Sequence, residues 1–237
     1  MRWTEVSENP NSKEALQYRS SQLVQAHRSP VAYRDPYLAE LARGKRVLDV
    51  GVVNHLQDGE AQAAYLHRSL VQVASECVGI DILEKGVASL SEQGYDVHVA
   101  DIAHPGLAAI VGTSFDLVIA GELIEHIDSP GVMLENAQSV LVRGGHLVLT
   151  TPNPYGISSI LSHARGRVEE NVDHLMFYFP SGMAELADRF GWKLVNYRGS
   201  LDARSPKSLK RKALNMMAKF TTEDFPCWTY IYELEAP

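Results

Sequence analysis

Three aspartates stand where chemistry could be done. Each closes or follows a short apolar run: Asp49 in Arg46-Val47-Leu48-Asp49-Val50-Gly51, Asp81 in Val78-Gly79-Ile80-Asp81-Ile82, and Asp101 in Ala100-Asp101-Ile102. A carboxylate at the end of a second strand can accept both hydroxyl protons of a ribose, the role open to Asp81. Asp101 can accept from an exocyclic adenine amine, with Ile82 and Ile102 as apolar walls. Gly51, just after Val50, lets the backbone pass close to a ligand. A single Asp after a strand is also an ordinary cap or turn former. Three in order, each after an apolar run, point to an adenosine-binding rim.

A second constellation follows. Glu122, Glu125 and His126 fall within five residues, and His174 comes later. If the first segment turns helically, Glu122 shares a face with Glu125 or His126. Two carboxylates and two imidazoles can hold a divalent cation such as Mg²⁺, Mn²⁺ or Zn²⁺. The imidazoles of His126 and His174 can also take a proton near neutral pH. The remaining histidines read as structural: His98 and His146 in strands, and His27, His104 and His163 at the surface. His55 and His67 sit in the first loop and helix, where a cofactor lid could lie.

The elements that must position these groups alternate. A helical segment in two pieces spans about Ser12 to Ala42, punctuated by Pro30 and Asp35-Pro36. Strands are expected over Arg46–Gly51, Cys77–Ile82, Asp96–Ala100, Phe115–Ala120, His146–Thr151, Trp192–Tyr197 and Cys227–Leu234. Helices are expected over Glu60–Ser75, Glu84–Gln93, Pro130–Leu141 and Ser181–Phe190, the last capped by Ser181. Arg143-Gly144-Gly145 reads as a turn. Continuous apolar strands separated by helices imply a parallel sheet covered on both faces. Ligands then bind beyond the carboxyl ends of the strands, where every residue named above falls.

The bulk numbers fit a single α/β domain with a small appendage. There are 237 residues, 45% hydrophobic and 22% charged, with a formal net charge of −7. That acidity argues against broad nucleic-acid binding. Two cysteines, Cys77 and Cys227, make no disulfide scaffold, which favours a reducing cytoplasm. The first residues lack an apolar signal core, and no run approaches about 18 apolar residues, so no transmembrane segment is expected.

The ordered set Val47-Leu48-Asp49-Val50-Gly51, Gly79-Ile80-Asp81, Ala100-Asp101 and Phe115-Asp116-Leu117-Val118 resembles the successive motifs of class I S-adenosylmethionine (SAM)-dependent methyltransferases. Gly121-Glu122-Leu123-Ile124-Glu125-His126-Ile127 resembles the segment after strand four in the branch of ubiquinone-pathway O-methyltransferases. The Gly144-Gly145 turn, Leu147 to Asn153, His174 to Pro180 and Gly191-Trp192 extend the likeness over roughly Lys45 to Arg198. It implies a Rossmann-like, seven-stranded, mostly parallel sheet flanked by helices, with its last strand antiparallel. It also implies SAM as cofactor, held by Asp49, Val50, Gly51, Asp81, Ile82, Asp101, Ile102, Gly121 and Glu122. Glu-x-x-Glu-His with a later Asp-His also looks like the metal site of small-RNA 3′-terminal 2′-O-methyltransferases, which nominates Glu122, Glu125, His126 and His174 as ligands. One departure stands out: the family's first loop carries two or three glycines, whereas Val53 occupies the position of the second. Its Cβ would crowd the methionine part of the cofactor or force a different loop path.

The division expected is a helical cap over 1–44 and a SAM-binding domain over 45–237 with inserts at 154–180 and 199–226. The first insert carries Tyr155, Arg165 and Arg167. Within the second, Lys207, Lys210, Arg211, Lys212 and Lys219 accompany Leu209, Leu214, Met216, Met217 and Phe220, a basic amphipathic helix pattern. O-methylation of a small-molecule or sugar-linked hydroxyl is the leading expectation, with a homodimer kept open. The competitors are a SAM-binding protein without catalysis and an RNA 3′-end methyltransferase. A nicotinamide oxidoreductase loses ground because Gly51-Val52-Val53-Asn54-His55-Leu56 lacks the Gly-x-Gly-x-x-Gly fingerprint.

Overall fold

The computed structural model describes residues 2–54, 62–63, 65–167, 171–201 and 222–237. His55, the remainder of the first loop through residue 61, and the basic amphipathic pattern from Lys207 to Phe220 lie outside the described residues.

Each short apolar run becomes a strand because both its faces are covered. In β1 (Arg46–Val50), Val47 packs with Leu117, Ile119, Val148 and Ile231 on one side of the sheet. Leu48 and Val50 join Val118, Ala120, Leu147 and Leu149 on the other. Burial of side chains of this size stabilises by roughly 1.5–3 kcal/mol each, which is why these strands read as unbroken hydrophobic runs.

Seven strands form one sheet. With β1 they are β4 (Glu76–Asp81), β5 (Val97–Val99), β6 (Phe115–Gly121), β7 (Leu141–Pro152), β8 (Lys193–Ser200) and β9 (Thr229–Glu235). Their order is β5-β4-β1-β6-β7-β9-β8. β1 pairs in parallel with β4 and β6, β4 with β5, and β6 with β7, while β9 runs antiparallel to both β7 and β8. The sheet is the Rossmann-like one expected, with its last strand reversed. The chain starts at β1, moves outward to β5, then returns to β6 on the other side of β1. Such a reversal opens a crevice above the strand ends.

Helices cover both faces. α1 (Lys13–Ala26) is capped by Ser12, whose hydroxyl accepts from the Ala15 N–H at 3.1 Å. α2 (Arg34–Ala42) buries Leu38 and Ala42, and it packs with α3 (Tyr65–Val73) on the side of the sheet holding Val47 and Ile231. Among the described residues, α4 (Glu84–Glu92), α5 (Leu107–Val111), α6 (Pro130–Val140), α7 (Ile157–Ala164) and α8 (Pro180–Arg189) complete the set. A two-residue antiparallel ladder joins β2 (Val53–Asn54) and β3 (Gln62–Ala63). Among the described residues no helix is long and apolar enough to cross a membrane.

Three expectations are corrected. The third helix begins at Tyr65 rather than Glu60, after β3. Arg143-Gly144-Gly145 lies inside β7, because Leu141 already pairs with Phe115 before an irregularity in register. α8 starts at Pro180 with Phe179 as its cap residue, so Ser181 lies inside the helix. α5 and α7 are short and were not legible as periodic segments.

Candidate active site

The carboxyl ends of β1, β4 and β5 and the segment after β6 enclose a cavity of about 470 Å³. Six of the nine residues named for the cofactor line it: Val50, Gly51, Asp81, Ile82, Asp101 and Ile102. Leu123, His126 and Leu175 line it too, so the adenosine rim and the second constellation share one space. Gly51 has φ +83°, a left-handed conformation in which a side chain would be strained.

The Asp81 carboxylate is held by the main chain. Its Oδ2 accepts from the Val53 N–H at 2.9 Å and its Oδ1 from the Leu83 N–H at 3.0 Å. Asp101 is held in the same way, Oδ1 by the Ala103 N–H at 2.7 Å and Oδ2 by His104 Nδ1 at 2.7 Å. Each oxygen keeps a lone pair for a ligand. Ile82 leaves 64% of its surface exposed beside them, an apolar face free to meet a flat ring.

Asp49, Gly121 and Glu122 are placed differently, off the wall of the cavity. Asp49 is buried and turns to α3, where His67 Nδ1 lies 3.0 Å from its Oδ2. Burial raises the Asp49 carboxyl above its ordinary range, and the bond and charge of His67 pull it back. His67 itself is wholly buried, so it is a core residue rather than part of a lid. Gly121 ends β6 opposite Thr150. Glu122 adopts φ +52°, strained for a residue with a Cβ. Its N–H donates to the Thr150 carbonyl at 2.9 Å, and Thr150 Oγ1 donates to its Oε1 at 3.1 Å. Arg34 Nη1 meets the same Oε1 at 3.3 Å. Arg34 was not singled out in the sequence; Asp35, bonded to its Nε at 2.7 Å, and the Arg-Asp-Pro start of α2 were the only signals.

Glu125, His126 and His174 do come together, with one ligand atom from each within 4.8 Å of the others. A short 3₁₀ turn over Ile124–His126 presents the first two. The Glu125 carbonyl accepts from the Leu175 N–H at 2.8 Å, which brings the later segment alongside. The imidazoles of His126 and His174 meet edge to face at 4.8 Å between ring centres, and Asp173 Oδ2 lies 3.0 Å from His126 Nδ1. The fourth residue proposed from the sequence, Glu122, is held by Arg34 and lies outside this cluster.

The cluster is electrostatically unfinished. Glu125 has no exposed surface, and burial together with the nearby charge of Glu122 pushes its carboxyl up to about 8. Thr151 and a backbone N–H hold the Glu125 carboxyl down only in part, Asp173 faces His126 Nδ1, and among the described residues His174 Nδ1 has no hydrogen-bond partner. A buried polar atom without a partner costs about 1–3 kcal/mol, so Glu125 and His174 are the strained members of this cluster.

Comparison with known proteins agrees with the fold. A family described as a methyltransferase domain matches residues 24–197. The ubiquinone biosynthesis O-methyltransferase of Paraburkholderia phymatum is 28% identical over 166 residues, covering 66% of this chain and 68% of that protein. The protein of the same name from Cupriavidus pinatubonensis is 30% identical over 170 residues, covering 66% and 63%. This chain thus spans about two thirds of those relatives' length. Among solved structures, a SAM-dependent methyltransferase from Archaeoglobus fulgidus superposes with a TM-score of 0.56 at 16% identity, covering 84% of this chain and 90% of that one. Magnesium protoporphyrin IX methyltransferase from Synechocystis, solved with bound S-adenosylhomocysteine (SAH), gives 0.54 at 13% identity, covering 100% and 93%. The chain belongs to the class I SAM-dependent methyltransferases.

Proposed function

We propose that this chain methylates a hydroxyl oxygen of a small-molecule or sugar-linked acceptor. The observation that carries this reading is the junction of two kinds of wall in one cavity: adenosine-type carboxylates on one side and His126, backed by Glu125 and His174, on the other. An amine acceptor would not call for such a cluster, whereas a hydroxyl must lose a proton, and a placed base is worth about 10²–10⁴-fold. The naming of the curated relatives as O-methyltransferases supports the same choice.

When bound, SAM supplies an electrophilic methyl group. On this reading the residues divide the work. Asp81 accepts from the ribose hydroxyls and Asp101 from the adenine amine, while Ile82 and Ile102 close on the ring. Glu122, tied to Arg34 and Thr150 off the cavity wall, fixes the turn that leads to Leu123 and His126. Asp49, paired with His67, sets the backbone of β1 just before Gly51. His126, with Asp173 beside its Nδ1, takes the acceptor proton, and His174 orients the hydroxyl from the other side. Much of the remaining rate comes from alignment of donor and acceptor.

Glu125, His126 and His174, with one ligand atom of each within 4.8 Å of the others, fit a divalent cation, since a carboxylate and two imidazoles suit Mg²⁺, Mn²⁺ or Zn²⁺. Such an ion would supply a Lewis acid that lowers the acceptor hydroxyl pKa. The helices over 1–44 and the first insert at 154–180 form the acceptor side, where Tyr155, Leu175, Phe177 and Phe179 leave apolar surface exposed. An acceptor with an apolar part therefore suits this rim.

The test is transfer of labelled methyl from SAM to cell extracts, followed by identification of the product, with and without chelator. Label on a hydroxyl oxygen supports the reading. Label only on nitrogen or carbon overturns it, and full activity after chelation removes the cation.

A further inference from the structure

Val53 stands where the family resemblance implies a second loop glycine, and the fold accommodates it in a particular way. Val53 is buried at 8% exposure and packs with Val52, Val87, Leu90 and Val97 in a small core under α4. It is not part of the cavity wall. Opposite it stands Gly86, in the first turn of α4. A Cβ on Gly86 would lie 2.6 and 2.7 Å from the two Val53 methyl carbons and 3.2 Å from its Cβ. Real Cβ atoms do not approach so closely, so Val53 fits only because residue 86 is glycine. Glycine inside a helix is destabilising relative to alanine, and the close approach of Val53 gives the position its reason.

The seat at Gly86 has a consequence at the cavity. With its side chain under α4, Val53 presents its N–H to Asp81 Oδ2 at 2.9 Å, while Leu83, just before α4, presents its N–H to Oδ1 at 3.0 Å. Two main-chain donors, one per oxygen, fix the plane of the carboxylate. One lone pair on each oxygen remains, as a vicinal diol needs.

We propose that Val53 and Gly86 are a positioning pair for the cofactor's ribose: the valine seated in the glycine gap orients Asp81 for two-point capture of the ribose hydroxyls. The proposal rests on the reading of the cavity as a SAM site. Neither residue touches the ribose; both act through Asp81.

The experiment is calorimetry with SAH and with its 2′-deoxy analogue, on the full chain. Gly86→Ala is expected to weaken SAH tenfold or more and to bring the ratio of the two affinities toward one. Val53→Ala combined with Gly86→Ala returns the missing space and is expected to restore both affinity and ratio to within about threefold of the parent. A Gly86→Ala variant that binds SAH as the parent does, that weakens both ligands equally, or that the second change fails to rescue, overturns the pair. If Gly86→Ala does not fold, Val53→Ala alone carries the test: the ratio falls several-fold, and an unchanged ratio overturns the proposal. Failure of the parent protein to bind SAH at all overturns the cofactor reading, and the pair falls with it.

Discussion

The two halves of the cavity differ in how their polar groups are satisfied. In the adenosine half, Asp81 and Asp101 already accept a backbone N–H or an imidazole at each oxygen, at 2.7–3.0 Å. In the half holding the Glu125–His126–His174 cluster, the buried Glu125 carboxyl stays raised despite Thr151, and among the described residues His174 Nδ1 has no partner. The first half is pre-organised, so its ligand need add only the last bonds. The second keeps a proton on its buried carboxyl at neutral pH. On the proposed reading, binding and chemistry fall to regions that differ in how far their polar groups are satisfied.

The sharpest way to break this contrast is at His126. Its replacement by alanine should lower kcat by about 10²–10⁴-fold while leaving SAH affinity within twofold, read by methyl-transfer kinetics beside calorimetry. A large loss of SAH affinity would mean that the two halves are not separable. His174→Ala should behave alike with a smaller loss. Next in size, Asp81→Asn should weaken SAH by roughly ten- to a hundred-fold, the worth of a charge-assisted bond to a hydroxyl, with kcat at saturation little changed.

Glu125 tests the unfinished half through stability. Its carboxyl, at about 8 in the fold against an ordinary 4.5, binds its proton more tightly folded than unfolded. The stabilisation is fully present below pH 4.5 and is lost as pH rises through about 8. Urea denaturation should therefore show stability falling over that window, and Glu125→Gln should flatten the profile, a difference of up to about 5 kcal/mol at the alkaline end. Added Mn²⁺ or Mg²⁺ should offset the fall, since a cation binds the ionised carboxylate. A parent profile already flat without cation would show that the group is solvated after all. The smallest effect expected is at Asp101: its alanine variant should lose SAH about tenfold, because one neutral amine is all it engages. An equal loss of guanine-bearing and adenine-bearing analogues would separate a fold defect from base reading.

Much of the sheet was legible because buried parallel strands must be continuous apolar runs, and those of β1, β4 and β6 leave little else for their residues to do. The helix starts were less legible. Pro180 and Tyr65 begin α8 and α3 where packing on the sheet permits, rather than where Ser181 or Glu60 would suggest. Among the histidines, His67 and His55 looked alike in the sequence. Only the approach of α3 to β1 and β4 makes His67 the partner of Asp49, its ring Cε1 close to Gly79.

The sequence by itself determined which strand ends would carry acids, and that a Glu-x-x-Glu-His segment would follow β6. Both are local facts, set by alternation of apolar runs and polar punctuation. Tertiary structure alone decided which of those acids face the cavity. Asp49 goes to His67, Glu122 to Arg34, and Val53 to the gap at Gly86. The physical reason is that a carboxylate's partner, or a methyl's empty space, is supplied by an element distant in the chain. Spacing along the sequence carries no record of which helix crosses above which strand.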